Sequence, residues 1–480
     1  MNNHPASDPA DPLLVNDLHS ALNPTRVARI LTPRGLDEIV ALVRESITAN
    51  AALSLCGGRH AMGGQQFGTD TWLVDLSHHN NVLTFDTERG LLTAESGIQW
   101  PAIIAACAAH ARPGQPAWSI RQKQTGADRL SLGGALSANI HGRGLRYPPI
   151  VSDVEAFTLI DARGDIRRCS RSENPDLFRL VIGGYGLFGI IADVTLRLIP
   201  RAKVERRVEI LTLDALVRVP EERDTSTWLF GDFQYAIDEN SPDFLKLGVF
   251  SAYHRIADDE SVPDEQKQLR ADDWERLIHL AHTDRARVFQ EYSRYYLSTD
   301  RQRYWSDTHQ LSTYLDHYHV AQDERSGHAH THRASEMISE LYVPRASLTA
   351  FMEKAAALLR TSGMAVIYGT IRLIERDEET FLAWAREPWA CVIFNLHVDH
   401  TPDGLARAAD TFRALIDTAL AFNGSYFLTY HRWARRDQIE RAYPQFREFL
   451  RLKDLHDPHH RFQSDSWRHH RTLFAAPSDT

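Results

Sequence analysis

The sequence is poor in cysteine and in long apolar runs, and each shortage excludes a class of protein. Its four cysteines lie far apart in the 480-residue chain, so neither a disulfide framework nor a CxxC motif is predicted. No stretch reaches the ~20 apolar residues that span a bilayer. Met1 to Asp17 lacks the basic start and apolar core of a secretory signal. We therefore expect a cytoplasmic protein with reduced thiols.

The sequence also has no excess of positive charge. Its 54 Lys and Arg residues stand against 63 Asp and Glu residues, which gives a net charge of −9. A mildly acidic chain has no general attraction for nucleic acid or anionic membranes. The shares of hydrophobic residues (43%) and charged residues (24%) are typical of a globular enzyme. This length predicts two or three structural units.

The order of periodic segments predicts an α+β fold. Up to about residue 202, short strands alternate with short helices, such as the amphipathic helix Leu36–Ala49. Residues 254–335 are rich in charge, aromatics and histidine, and their pattern favours helices. A sheet-and-helix pattern then resumes, with predicted strands at Glu340–Val343, Ala365–Leu373, Ala390–Val398 and Gly424–Tyr430. This second block predicts a domain with a mixed sheet.

Three glycine-bearing loops carry the chemical information. They lie at Leu55–Gln65, Thr125–Gly142 and Gly183–Ile191. Glycine lets backbone N–H groups approach a phosphate closely, although a single such loop is as typical of a tight turn. Gly184, Gly186 and Gly189 match GxGxxG, but a helix precedes them and a strand follows, which is the reverse of a Rossmann fingerprint. A Rossmann site is therefore not predicted.

Taken together, the three loops resemble the flavin-binding domain of the vanillyl-alcohol oxidase superfamily, also called the PCMH type. The nearest branch contains the alditol and aldonolactone oxidases and decaprenylphosphoryl-ribose oxidase. The matching text runs in a fixed order through Ser131–Gly142, Asp176–Phe178 and Gly183–Ile191, and the C-terminal stretch Arg461–Asp465 agrees as well. The resemblance implies a two-domain α+β flavoprotein with four parts: a flexible lead-in (1–23), an FAD-binding domain (24–202), a substrate-binding cap (203–430) and a C-terminal return to the FAD domain (431–480).

The resemblance also implies which residues hold FAD. The first loop matches the pyrophosphate segment, the second the phosphate and ribityl segment and the stretch beside the isoalloxazine, and the third the adenine-side backbone contacts. The implied set is Gly57, Gly58, Arg59, His60, Ala61 and Met62; Gly126, Ser131, Leu132, Gly133, Gly134 and Ser137; Asn139, His141 and Gly142; and Ile190 and Ile191. His60 stands where alditol oxidases carry a histidine bonded to the flavin 8α-methyl group. A covalent histidyl-FAD is thus expected, the alternative being a histidine that only hydrogen-bonds the cofactor.

Catalytic candidates come from the second block. Oxidation of an alcohol by a flavin needs a group that accepts the hydroxyl proton. Period-2 geometry places Asn395 and His397 on one face of their strand and Tyr368, Thr370 and Arg372 on one face of theirs. We expect His397 or Tyr430 to accept the proton, and Arg372 and Asn395 to hold substrate oxygens. Tyr430 replaces a lysine of the resembling sugar oxidases, and this departure puts their substrate chemistry in question.

Other readings stay open at this point. The His328-Ala-His330-Thr-His332 run has metal-like spacing, but no carboxylate or cysteine at metal spacing accompanies it, so no metal is predicted. The expected activity is FAD-dependent oxidation of a CH–OH group of a sugar, polyol or related compound, with O₂ or another electron acceptor. The alternatives are a flavin-dependent C=C reductase, a cytokinin-like amine dehydrogenase, or a binding module without activity.

Overall fold

The computed structural model of the chain describes residues 7–8, 11–112, 117–312 and 333–475. The first elements are three short antiparallel strands and a small parallel unit: β1 (Ser7–Asp8), β2 (Asp11–Val15), β3 (Thr25–Arg26), β4 (Arg29–Leu31), α1 (Leu36–Thr48), β5 (Leu53–Cys56) and β6 (Trp72–Asp75). The parallel sheet has the order β4-β6-β5. Helix α1 forms because Ile39, Leu42 and Val43 recur at helical spacing and are buried against this sheet.

A five-stranded antiparallel sheet comes next, with three helices around it. Its segment contains β7 (Val82–Asp86), β8 (Leu91–Glu95), α2 (Trp100–Ala109), β9 (Trp118–Ser119), α3 (Leu132–Ala138), β10 (Val154–Ile160), β11 (Ile166–Ser170), α4 (Pro175–Val181), β12 (Ile190–Arg197) and β13 (Ile199–Pro200). The strand order is β11-β10-β12-β8-β7. Ser131 caps α3 by accepting a hydrogen bond from the Gly134 N–H, which fixes the start of the helix.

Residues 203–426 build an eight-stranded antiparallel sheet with helices. The elements are β14 (Lys203–Thr212), α5 (Leu213–Glu222), β15 (Trp228–Tyr235), β16 (Leu247–Arg255), α6 (Ala271–Thr283), α7 (Arg285–Leu297), β17 (Arg303–Trp305), β18 (Ala334–Pro344), α8 (Leu348–Ser362), β19 (Val366–Ile374), β20 (Trp389–Asp399), α9 (Pro402–Ala421) and β21 (Ser425–Tyr426). The strand order is β17-β14-β16-β15-β19-β20-β18-β21. Among the described residues, no helix combines the length and apolarity needed to cross a bilayer.

The C-terminal segment returns to the start of the chain. It contains α10 (Arg436–Ala442), α11 (Phe446–His456) and α12 (Asp465–Ala475). The Leu53 N–H donates to the Arg461 carbonyl, and the Gln463 N–H donates to the Leu53 carbonyl. Buried Asp457 holds this return in place by accepting from the Arg461 and Phe462 N–H groups. Residues 461–463 thus act as a neighbour of β5, just before the first glycine loop.

Strand register decides which side chains of the large sheet share a face. Glu336 lies opposite His397, Ile338 opposite Asn395, and Glu340 opposite Ile393. On the other side of β20, Thr370 lies opposite Ile393 and Arg372 opposite Cys391. Because directly paired residues point to the same side, the polar residues Glu336, Glu340, Thr370, Arg372, Asn395 and His397 all project from one face.

The structure confirms the α+β class and most predicted elements, with two differences. The predicted strand Gly424–Tyr430 is wrong beyond Tyr426, because the Thr429 carbonyl accepts from the Met62 and Gly63 N–H groups of the first glycine loop. The second difference lies in residues 11–23 of the expected flexible lead-in. There Asp17, Ser20 and Asn23 are buried and hydrogen-bonded to one another. The predicted histidine run at 328–332 lies outside the described residues.

Candidate active site

A large cavity lies between the three glycine loops and the polar face of the eight-stranded sheet. Its empty volume, with the solvent at its mouth included, is about 1220 Å³. The residues of the predicted cofactor set that line it are Gly57, Gly58, Arg59, His60, Ala61, Met62, Gly126, Ser131, Gly133, Gly134, Ser137 and Ile191. Leu132, Asn139, His141, Gly142 and Ile190 are not among the lining residues.

Two glycines of the first loop are required by contact with the second loop. A Cβ at Gly57 would lie 2.2 Å from Ser131 Oγ, and one at Gly58 would lie 2.4 Å from the Arg129 carbonyl oxygen. No real side chain tolerates such distances, so the two loops touch only because both positions are glycine. The immediate neighbours of these two glycines are a side-chain hydroxyl and protein backbone.

The cavity walls fit a ligand rich in hydrogen-bonding groups. Ser96 Oγ and Gln124 Oε1 are buried, line the cavity and have no hydrogen-bond partner among the described residues. Buried polar atoms of this kind are normally satisfied in a functional protein, so a bound molecule is the natural partner. The Arg59 guanidinium, in contrast, is held by the buried carboxylate of Asp75 at 2.8 Å. The Asp75 carboxylate therefore neutralises the positive charge of Arg59 at the cavity wall.

His60 lines the cavity and is almost fully buried. Its Nδ1 lies 2.8 Å from Nε2 of His19, a second lining residue that the sequence did not reveal. Burial, followed by the nearby His19 ring, lowers the pKa of His60 well below its usual value. The imidazole is therefore neutral at physiological pH, which is the nucleophilic form of the ring.

Glu340 is the centre of a buried polar network beside the cavity. Its Oε1 lies 2.8 Å from His141 Nε2 and accepts a hydrogen bond from the Tyr342 hydroxyl, and its Oε2 accepts from the Tyr430 hydroxyl at 3.3 Å. His141 Nδ1 lies 2.9 Å from the Gly142 carbonyl. Both ring nitrogens of His141 thus lie within hydrogen-bond distance of protein oxygen atoms, which fixes the orientation of the ring.

The ionisation of this network has clear directions. Burial alone would raise the pKa of Glu340, but the His141 imidazole, the Tyr342 hydroxyl and the Arg372 guanidinium together hold it below its usual value. Burial and the Glu340 carboxylate raise the pKa of Tyr430 well above its usual value. Tyr430 is therefore a protonated phenol that donates to an ionised Glu340, and it lines the cavity.

Arg372 and Thr370 present polar atoms that have no hydrogen-bond partner among the described residues. Arg372 is 5% exposed, and its Nε and Nη1 have no hydrogen bond within the described part of the chain; the same holds for Thr370 Oγ1. Arg372 lies close enough to Glu340 and Tyr430 to influence the pKa of both. A buried guanidinium with open donors is suited to hold an oxygen-rich group of a small molecule.

The structure separates the two predicted proton acceptors. Tyr430 lies at the cavity, whereas His397 is paired with Glu336, which lies four residues from Glu340 along β18. That separation is about 13 Å along the strands. Asn395 lies between them, opposite Ile338, which lines the cavity. Of the four predicted catalytic residues, Tyr430 and Arg372 come together and His397 stands apart.

Sequence reasoning missed Glu340, although it had placed the residue at the start of a strand. A carboxylate directly before the apolar residues Leu341, Tyr342 and Val343 of a buried strand was the available signal, since such a group persists only when it is paired. Its partners, His141, Tyr342, Arg372 and Tyr430, are spread from residue 141 to residue 430. No local pattern joins positions so far apart.

Comparison with known proteins identifies the first domain. Residues 27–170 match the family described as FAD binding domain. The chain is 28% identical to the mitochondrial L-galactono-1,4-lactone dehydrogenase of Arabidopsis thaliana, over 42% of this chain and 33% of that protein. It is 28% identical to L-gulonolactone oxidase of Bos taurus, over 34% and 35%, and 30% identical to cytokinin dehydrogenase 2 of Oryza sativa subsp. japonica, over 41% and 35%.

These matches span only about a third of each relative's length. Within that span they confirm the resemblance to a flavin-binding domain. The matched family indicates that the cofactor of this domain is FAD. The chain is thus similar to a lactone dehydrogenase and a lactone oxidase over 42% and 34% of its own length.

Proposed function

We propose that this chain is an FAD-dependent oxidoreductase that oxidises a CH–OH group of a sugar, polyol or related hydroxylated small molecule. The observation that carries the proposal is the position of Tyr430, Glu340 and Arg372 beside a cavity lined by all three glycine loops. Bound FAD supplies the chemistry of accepting a hydride at N5. The protein residues bind the substrate and take up the hydroxyl proton.

Residues 24–202 and 431–480 would form the FAD domain and residues 203–430 the substrate-binding cap. The return of residues 461–463 to β5 supports this division. The predicted cofactor residues that line the cavity would contact FAD. Asn139 and His141, which lie behind the lining, would act indirectly: Asn139 donates to buried Asp377, and His141 holds Glu340.

The substrate hydroxyl proton would leave through Tyr430. As the substrate hydroxyl passes its proton to the phenol oxygen, the phenol passes its own proton to Glu340 Oε2, so charge is conserved at Tyr430. The low pKa of Glu340 keeps the carboxylate ionised and ready to accept at neutral pH. Arg372 and Thr370 would bind substrate oxygens, as their unpaired buried atoms suggest. Asn395 remains a candidate for the same task.

We further infer that His60 forms a covalent bond to the flavin. Its neutral ring in the cavity wall and its contact with His19 support this. Precipitation of the purified protein with acid tests the bond, since covalent flavin stays with the pellet and bound but unlinked flavin stays in the supernatant. A colourless pellet would contradict the covalent bond without affecting the rest of the proposal.

A substrate screen under anaerobic conditions tests the activity. Polyols, aldoses, lactones, aromatic alcohols and amines are mixed with the purified flavoprotein, and loss of the oxidised-flavin absorption is recorded. We expect rapid loss with one or more hydroxylated compounds. The similarity to a cytokinin dehydrogenase favours amine oxidation as the second candidate, and flavin reduction by amines alone would establish it. The electron acceptor, O₂ or another, and the cytoplasmic location stay predictions.

A further inference from the structure

We propose that His282, Glu336 and His397 form a mononuclear site for a divalent transition metal, with Zn²⁺ as the ion best suited to it. The three side chains come from α6, β18 and β20. One ligand atom from each lies within 4.8 Å of the other two. Two imidazoles and one carboxylate are a common set for a zinc ion that keeps an open coordination position.

The spacing of the ligand atoms suits a single ion. Zn²⁺ binds imidazole nitrogen and carboxylate oxygen at ~2.0–2.2 Å, so neighbouring ligand atoms of a tetrahedron are about 3.3 Å apart. His282 Nε2 lies 3.0 Å from Glu336 Oε1, and His397 Nδ1 lies 3.7 Å from the same oxygen. These distances bracket the tetrahedral value, so small side-chain rotations would complete the set.

The fold holds the ligands in place before any ion binds. Glu336 and His397 are directly opposite each other in the β18–β20 ladder, and His282 lies in the last turn of α6. The two imidazole rings meet edge to face, with centroids 5.0 Å apart and an interplanar angle of 84°. This arrangement lets a nitrogen of each ring point towards the carboxylate. The site therefore needs little reorganisation.

A second carboxylate stands behind one of the rings. His397 Nε2 lies 3.5 Å from Asp399 Oδ1, on the side of the ring away from Glu336. Metal-bound histidines usually have such a partner, which fixes the ring and increases its basicity. His282 Nε2, although close to Glu336, is buried without a hydrogen bond of acceptable geometry in the described structure. A metal ion would satisfy this nitrogen.

The position of the site gives it access to small molecules. Ile338 follows Glu336 on the same face of β18 and lines the large cavity, and two residues along a strand span about 6.6 Å. The His397 side chain is 22% exposed. Three protein ligands leave one tetrahedral position for water or for an oxygen of a bound molecule. The inference is independent of the proposed oxidation, because it rests on other residues.

Sequence spacing could not reveal this site. Its ligands are separated by more than fifty residues at each step, and the sequence predicted no metal. The histidine run at 328–332 precedes β18 directly but lies outside the described residues. The experiment must therefore distinguish the two groups of histidines.

The test uses the full-length, untagged flavoprotein, stripped with a chelator and then titrated with Zn²⁺ by calorimetry. We expect one Zn²⁺ per chain. His282→Ala, Glu336→Gln and His397→Ala should each weaken binding at least tenfold, and Asp399→Asn should weaken it less. Glu336→Gln keeps the side-chain shape, and retained flavin colour with an unchanged melting temperature shows that each variant is folded. A matched control carries His328→Ala, His330→Ala and His332→Ala together and should bind Zn²⁺ normally.

Two results would overturn the proposal. In the first, the wild-type protein binds no stoichiometric Zn²⁺. In the second, binding survives Glu336→Gln and His282→Ala but disappears in the triple variant, which would assign the ion to the histidine run.

Discussion

Glu340 accepts hydrogen bonds from the hydroxyls of Tyr342 and Tyr430, and the surroundings of these two phenols differ. Tyr430 lines the cavity, whereas Tyr342 is stacked on Trp384 at 4.6 Å in the interior. Both donate to the same carboxylate. The proposed proton route therefore assigns a catalytic task to only one of them, and this asymmetry supplies a matched pair of variants.

Tyr430→Phe should slow flavin reduction by substrate by ~10²–10⁴-fold, because it removes the group that relays the hydroxyl proton. Stopped-flow measurement of flavin reduction checks the rate, and flavin content should not change. Tyr342→Phe loses a hydrogen bond to the same carboxylate, at about 1 kcal/mol of stability, and should leave the rate within a few-fold of wild type. Equal losses in both variants would contradict the relay.

His60 supports a prediction on pH. Since burial and His19 lower the pKa of His60 well below its usual value, the ring stays neutral as the pH falls from 8 to 6. The rate at which apoprotein forms the covalent bond with added FAD should thus be nearly constant over this range. An unperturbed histidine would become largely protonated near pH 6 and slow down.

Acid-precipitated samples, taken at intervals, give the rate of bond formation. His60→Ala should retain no flavin in the pellet at any pH, while His19→Ala should bond more slowly. If His60→Ala still retains flavin, another residue carries the bond.

In the first glycine loop, close contact with the backbone of the second loop excludes a side chain at Gly58. Gly58→Ala should lower the free energy of unfolding by about 1–3 kcal/mol and weaken FAD retention, because the new Cβ would lie 2.4 Å from the Arg129 carbonyl oxygen. Gly35→Ala is the control, since nothing lies within 4 Å of a Cβ there. Urea unfolding and flavin release measure both effects. A Gly58→Ala protein as stable as Gly35→Ala would show that the loops separate at no cost.

Elements with a strong local pattern could be predicted, and those shaped by distant contacts could not. The predicted helix Leu36–Ala49 is observed at Leu36–Thr48, because its apolar spacing alone defines it. The predicted strand Gly424–Tyr430 ends at Tyr426, because the first glycine loop takes the Thr429 carbonyl. The glycine loops are visible in the local sequence, whereas the Glu340 network depends on tertiary pairing.

The whole molecule contains several buried histidines that must stay neutral to fold. Burial lowers the pKa of both His431 and His470 to about 3, against ~6.5 in an unfolded chain. Below pH 6.5 the unfolded state binds protons that the folded state does not, so stability falls as the pH decreases. Each of the two groups removes about 1.4 kcal/mol per pH unit between roughly pH 6.5 and 3.

Urea unfolding of the flavoprotein between pH 7 and 4.5 measures this slope. His431→Phe keeps an aromatic ring against Phe412 and should make the slope shallower by about one proton. Replacement of the exposed His78 by Gln should leave the slope unchanged. An identical slope in wild type and His431→Phe would contradict a neutral, buried His431.

The pairing of residues 461–463 with Leu53 has a consequence for biosynthesis. Translation delivers the glycine loops first, and residues 461–463, which flank β5, are synthesised long after them. A nascent chain halted before Arg461 would carry every glycine loop and still lack that flank. Cofactor loading is therefore expected only after residues 461–463 have been synthesised, and a chain terminated before Arg461 should be colourless.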